Sequence, residues 1–90
     1  MHQFDSGAKR GAVLSTRYDL ITSSLLDRTS ITLSEGAERY GVDNWKKGLP
    51  SADVFNHLIA HLLSWRDGDR SEDHLAHATC NIMFLMYSED

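Results

Sequence analysis

Four histidines and a few carboxylates fall at helical spacing in this chain of 90 residues. His57 and His61 are four apart, His74 and His77 are three apart, and so are Glu35 and Glu38. Residues three and four apart share one face of a helix, so each pair presents its side chains together. Imidazoles so arranged suit Zn²⁺, Ni²⁺ or Mn²⁺ and serve equally as general bases, which leaves the four histidines as a ligand set or a proton relay. Carboxylates converging from two helices hold a harder cation, Mg²⁺ or Mn²⁺, and such an ion would imply a phosphorylated substrate. Glu35 and Glu38 supply one wall of that site, and Asp73, His74 and His77 the other. The ExxE pair alone is weak evidence, because any solvated helix face can carry it. Apolar neighbours on both sides predict that His61 and His77 face inward, whereas His57 and His74, nearer the helix starts, are predicted to be solvated.

The stretch from Asp73 to Met86 must position the second wall. Asp73, His74, His77 and Asn81 recur every three to four residues inside an otherwise apolar run, giving a polar seam where a core would be dry. Asn81, one turn after His77, either orients a histidine, hydrogen-bonds a ligand or serves as a core amide. Ser71 is the predicted N-cap of this helix, with Glu72 and Asp73 in its first turn.

The element before it begins at Ser51, read as an N-cap, and runs to about Trp65. Val54, Leu58, His61, Leu62 and Trp65 form a stripe broadened by Phe55, Ile59 and Leu63, which predicts that this helix is the central one. The polar turn Arg66-Asp67-Gly68-Asp69-Arg70 is short enough to force its two flanking helices antiparallel. A further helix is predicted over 23–40, from Leu25, Leu26, Ile31, Leu33, Ala37 and Tyr40, with Gly41 as its stop and a frayed front. Residues 41–50 are a loop bounded by Gly41 at one end and by Gly48 and Pro50 at the other. Trp45 in its middle anchors the loop on the core or stacks on a ligand.

Residues 1–20 are polar and glycine-containing and read as an extended arm without a helix, in which Lys9, Arg10 and Arg17 could contact phosphates and Tyr18 could pack on the body. No strand pattern of alternating type occurs. The expectation is a single all-α domain over 1–90, a small bundle of three main helices over 23–90 with the arm in front. At this size roughly two-thirds of the unfolded surface is buried, so association with a second copy is expected to complete the core.

Composition narrows the function. With 41% hydrophobic and 24% charged residues the chain is of the globular type, and no apolar run nears the roughly 20 residues of a membrane span. A net charge of −4 with scattered basic residues argues against a nucleic-acid surface. The first ten residues lack the basic-then-apolar order of a secretion signal, which implies a cytoplasmic location. The single Cys80 has no disulfide partner within the chain and packs as a small hydrophobe.

These residues also resemble a family. Gly36-Ala37 with Tyr40-Gly41, Asn44-Trp45 and Gly48 fix seven positions in order. With Ala60-His61-Leu62-Leu63-Ser64-Trp65, Gly68-Asp69, Asp73-His74-Leu75-Ala76-His77-Ala78 and Asn81, they look like the phage-type dATP/dGTP diphosphohydrolase domain. Gly7-Ala8-Lys9-Arg10 and Arg17-Tyr18-Asp19-Leu20-Ile21 resemble that family's opening, so the likeness covers nearly the whole chain. More distantly the chain resembles the MazG-like all-α nucleoside triphosphate pyrophosphatases, which hold Mg²⁺ between an ExxE helix and an acidic motif on a later helix. There the superfamily has a Glu and an Asp four apart, and this chain has Asp73 and His77.

The resemblance implies hydrolysis of a deoxynucleoside triphosphate, dATP or dGTP, to the monophosphate and pyrophosphate with Mg²⁺ or Mn²⁺, by a phage protein in the host cytoplasm that forms a dimer or tetramer. Under it, Glu35, Glu38, Asp73 and His77 are the metal ligands, and His61, His77 and Glu38 are the catalytic set. Asn44 and Trp45 would take the nucleoside, Lys9 and Arg10 the phosphate tail, and Asn81 would also bind the substrate. The alternative is a helical module that binds a nucleotide or a protein without turnover, motivated by the short chain and the absent Glu/Asp pair.

Overall fold

The computed structural model describes residues 2–11 and 15–90. Three helices make up the body: α1 (Ser23–Tyr40), α2 (Ser51–Arg66) and α3 (His74–Glu89). The expected helix over 23–40 is found with those limits. Its stop is Gly41, at φ 95°, whose N–H bonds to the Ala37 carbonyl at 2.9 Å. A side chain with a Cβ rarely adopts that backbone angle, so glycine here ends the helix.

Two helix starts differ from the sequence reading. Ser51 is already helical, and Pro50 occupies the cap position, its carbonyl accepting from the Asp53 and Val54 N–H groups at 3.0 and 3.1 Å. For α3 the cap is Asp73, whose carboxylate accepts from the Ala76 N–H at 3.1 Å. Ser71 is instead used one step earlier, where its N–H donates to Asp69 at 2.8 Å and so shapes the turn.

The central helix is α3, which packs along both α2 and α1. The wide apolar stripe on α2 pointed to α2. What decides the order is that α3 carries small residues on opposite sides: Ala76, Ala78 and Cys80 are buried, and they let a helix approach from either flank. Arg28 on α1 reaches Asp73, and Cys80 approaches the Thr29 carbonyl at 3.8 Å, while His74 meets His61 on α2. As expected, α2 and α3 run antiparallel, with His61 beside His74 at one end and Val54 beside Phe84 and Leu85 at the other. Val54 and Leu58 are the large apolar side chains fully committed to this seam, each worth roughly 1.5–3 kcal/mol.

In the arm, β1 (His2–Gln3) and β2 (Lys9–Arg10) pair antiparallel, with Gln3 opposite Lys9. This short ladder lies in the stretch that the sequence reads as an extended arm. Two residues per strand are too few to show alternation, and the turn is closed by the Gly7 N–H donating to the Phe4 carbonyl at 2.9 Å. A single 3₁₀ turn follows at Tyr18–Leu20, and Tyr18 is exposed rather than packed on the body. The sequence-based arm over 1–20 includes residues 1 and 12–14, which lie outside the described residues. The radius of gyration is 17.7 Å, against about 12 Å for a compact chain of this length.

Candidate functional site

The polar seam on α3 faces a cleft of about 940 Å³ between the second half of α1, the 41–50 loop and the first turns of α2. Asp73, His77 and Asn81 follow one another at four-residue steps along α3, and His77 and Asn81 line the cleft floor. Asn81 is fixed by its own amide, which donates to the His77 carbonyl at 2.8 Å. Glu35 and Arg39 come from α1, and Asp53 and His57 from α2.

Trp45 closes one end. It sits in a short 3₁₀ turn, Asn44–Lys47, that Asp43 begins in the left-handed conformation at φ 59°. Its ring stacks on Phe84 with centroids 4.8 Å apart and meets the edge of Tyr87 at 4.9 Å. The loop is thus anchored on α3, and the tryptophan is only half-buried, so it also lines the cleft beside Asn44. Of the two readings of this residue, the ring contacts bear out the anchor.

The cleft is acidic. Glu35, Asp43, Asp53 and Glu72 outnumber Arg39, the one lysine or arginine on its wall among the described residues. Such a surface repels a bare polyphosphate.

Beyond His77 lies a histidine cluster. The His61 ring stacks on His77 at 4.9 Å and 9° between planes, and its Nδ1 is 2.9 Å from Nδ1 of His74. The other nitrogen of His74, Nε2, is 2.9 Å from a carboxylate oxygen of Asp69. Nε2 therefore donates to Asp69, and a neutral His74 turns its Nδ1 lone pair toward His61. Glu72 places Oε1 3.4 Å from both Nδ1 atoms. Burial, and next the nearby His77, push the His61 imidazole below its ordinary value. The Ser71 backbone N–H and then the His74 ring hold the Asp69 carboxyl far below the usual carboxylate range.

His74 is the most enclosed of these rings, with 6% exposure, against the expectation of a solvated residue. The turn folds Asp69 back over it, and His61 covers its other edge. His57 is exposed, as expected, and stays apart, 3.0 Å from the Asp53 carbonyl.

The predicted metal ligands do not converge as a set. Glu35 and His77 line the cleft, whereas the exposed Glu38, rotated about 60° around α1 from Glu35, is not among its lining residues. Asp73 is engaged elsewhere, gripped by both prongs of the Arg28 guanidinium, with Nε at 2.7 Å, while it caps α3. That guanidinium first, and then the Ala76 N–H, hold its carboxyl at about 2. Among the described residues, the one trio of His, Cys, Asp or Glu ligand atoms within 4.8 Å of one another is His61, Glu72 and His74. Lys9 and Arg10 lie on β2, exposed and outside the cleft lining. Sequence reasoning gave no site role to Arg28, Arg39, Asp69 or Glu72. The Asp69-to-His74 spacing spans a turn and the Arg28-to-Asp73 pair spans 45 positions, so neither carries a periodic signal.

A family model described as dATP/dGTP diphosphohydrolase, N-terminal, matches residues 5–90. The chain belongs to this family. The match takes in all three helices and the whole cleft of this dATP/dGTP diphosphohydrolase N-terminal domain. No curated protein and no solved structure matches the chain. Of the seven ordered positions noted in the sequence, Gly36, Ala37, Tyr40, Gly41, Asn44 and Trp45 all lie on the cleft wall. No helix among the described residues is long and apolar enough to cross a membrane.

Proposed function

We propose that the domain hydrolyses a deoxynucleoside triphosphate, dATP or dGTP, to the monophosphate and pyrophosphate in the cleft between α1 and α3. The observation that carries this reading is the cleft itself. At about 940 Å³ it falls within the range of ligand pockets, and it joins an aromatic ring and an amide at one end to acidic groups and imidazoles along its floor. The family is described as the N-terminal part of a dATP/dGTP diphosphohydrolase, which supports this reading.

In this reading Trp45 and Asn44 receive the nucleoside, the ring by stacking and the amide by hydrogen bonds. Arg39 takes phosphate oxygens in its planar fork, a role that the distant Lys9 and Arg10 would fill only if the arm folded over the cleft. The acidic wall calls for Mg²⁺ or Mn²⁺ entering with the phosphates, with Glu35 as the carboxylate best placed to hold it and waters completing its shell. Bound there, the cation would neutralise the phosphate oxygens and polarise the α-phosphorus. His77 accepts the proton of the attacking water as the bond between the α-phosphorus and the bridging oxygen breaks, and His61, stacked on it, holds its ring in place. Asn81 borders the same floor.

Two copies are proposed to complete the fold. Among the described residues Val54 and Leu58 are the only large aliphatic side chains that are buried, and Leu25, Leu26 and Ile31 on α1 and Met86 on α3 are exposed.

A second reading, a module that binds nucleotide without turnover, is favoured by the engagement of Asp73 with Arg28 and by the placement of Glu38. The two separate in one experiment: purified full-length chain with each dNTP and Mg²⁺ or Mn²⁺, followed for pyrophosphate release and, in parallel, for binding by calorimetry. Release abolished by Glu35→Gln supports hydrolysis. Binding without release from any dNTP supports the second reading.

A further inference from the structure

We propose that His61, Glu72 and His74 form a binding site for one transition-metal cation of the Zn²⁺ type, separate from any cation that enters with a nucleotide. The three ligand atoms already make a near-equilateral triangle: Nδ1 to Nδ1 is 2.9 Å, and each Nδ1 is 3.4 Å from Oε1 of Glu72. A tetrahedral Zn²⁺ with bonds of roughly 2.0–2.2 Å sets its ligands about 3.3–3.5 Å apart. Of the three spacings, only the His61 to His74 contact must open, by a few tenths of an ångström, as the rings turn to face the ion.

The surroundings point the same way. His74 gives its far nitrogen to Asp69 at 2.9 Å, and Asp69 is itself held by the Ser71 N–H at 2.8 Å. A carboxylate behind the imidazole fixes the ring and its tautomer and makes the facing nitrogen a better donor, as in carboxylate–histidine–zinc arrangements. The lone pair so fixed points at a second imidazole nitrogen rather than at a backbone N–H, an arrangement that a cation between the two rings satisfies directly. His74 is 7% and His61 19% exposed at the side chain, while Glu72 is 49% exposed, so the site is walled on the protein side and open at Glu72. That opening leaves the fourth position to water, as in zinc sites with three protein ligands. Two imidazoles and one carboxylate select Zn²⁺, Co²⁺ or Ni²⁺ over Mg²⁺. His57, which an all-histidine site would use, is turned away toward Asp53.

The ligands come from α2, from α3 and from the turn between them. The ion would staple that turn and hold His61 against His77 on the cleft floor. The proposal uses no nucleotide chemistry, and it stands or falls independently of the hydrolase reading.

The test is a titration of tag-free, chelator-treated full-length chain with Zn²⁺ and, separately, Co²⁺. The expected result is one ion per chain, an intense tetrahedral Co²⁺ absorption band, and a rise in Tm of roughly 11–22 °C at a free Zn²⁺ concentration a hundredfold above Kd. Asp69→Asn, which removes only the supporting carboxylate, is expected to weaken Zn²⁺ binding by about 10–100-fold. Glu72→Gln, at an exposed position that leaves the metal-free Tm near wild type, should weaken it at least as much. Asp67→Asn, an exposed acid of the same turn, should leave affinity unchanged. Zn²⁺ binding that ignores both Glu72→Gln and Asp69→Asn, an octahedral Co²⁺ spectrum, or no stoichiometric binding at micromolar metal would overturn the proposal. The histidines would then be a hydrogen-bonded pair only.

Discussion

Replacing Trp45 separates the anchor of the 41–50 loop from the nucleoside platform. Its ring contacts Phe84 at 4.8 Å and Tyr87 at 4.9 Å, and aromatic pairs of this kind contribute about 0.5–1.5 kcal/mol each beyond the area they bury. A core tryptophan cut to alanine costs about 3–5 kcal/mol. Since Trp45 is half-buried, Trp45→Ala should cost roughly 2 kcal/mol, within the range that the two ring contacts alone would give. For a domain of this size, that cost lowers Tm by roughly 8–16 °C, read from a thermal melt at pH 7 followed by far-UV circular dichroism. Trp45→Phe keeps a ring on Phe84 and should lose less than half as much. Because phenylalanine offers a smaller stacking face, that same variant should bind dATP or dGTP several-fold more weakly while remaining folded. A Tm loss below about 3 °C for Trp45→Ala would refute the anchoring argument, since no packed aromatic trio is lost so cheaply. Unchanged nucleotide affinity in Trp45→Phe would remove the tryptophan from the binding site.

Other outcomes follow from the charges and the core. The Asp73 carboxyl is held at about 2 in the folded chain, against about 3.9 when unfolded. A lowered carboxyl pKa stabilises the fold fully above about pH 4, and that contribution is lost as pH falls toward 2, so the urea midpoints of wild type and Asp73→Asn should converge over that interval and differ at pH 6. Convergence at high pH instead would contradict the Arg28 fork. Burial pushes the Cys80 thiol up, and the side chain faces the Thr29 carbonyl, so alkylation at pH 8 should be at least roughly tenfold slower in the native chain than in urea. Light scattering after size exclusion should give the mass of a dimer or larger at micromolar concentration, and a mass near 10.2 kDa would count against a core completed by a second copy.

Much of this architecture is legible in the sequence, for reasons that can be named. The limits of α1 follow from a helical apolar pattern and a glycine that only a helix stop explains. The 41–50 loop follows from its glycines and proline, and Trp45 had to find cover somewhere. The rank of α3 was not legible, because a helix gripped from both sides advertises itself through small residues, and Ala76, Ala78 and Cys80 look unremarkable beside the large side chains of α2. Nor was the fate of Asp73, since the partner that claims it lies on α1, 45 positions away. The seam of Asp73, His77 and Asn81 was visible as periodic polarity. Its division into a cleft floor at His77 and Asn81 and a histidine cluster at His61 and His74 depends on how the turn at Asp69 folds back, which no spacing rule encodes.

The most direct test of the hydrolase reading is phosphorus NMR of dATP or dGTP incubated with full-length chain and Mg²⁺. The three triphosphate resonances should give way to those of a deoxynucleoside monophosphate and pyrophosphate, and Glu35→Gln should stop the conversion. Triphosphate signals that broaden on binding but persist indefinitely, with Mg²⁺ and with Mn²⁺, would contradict it.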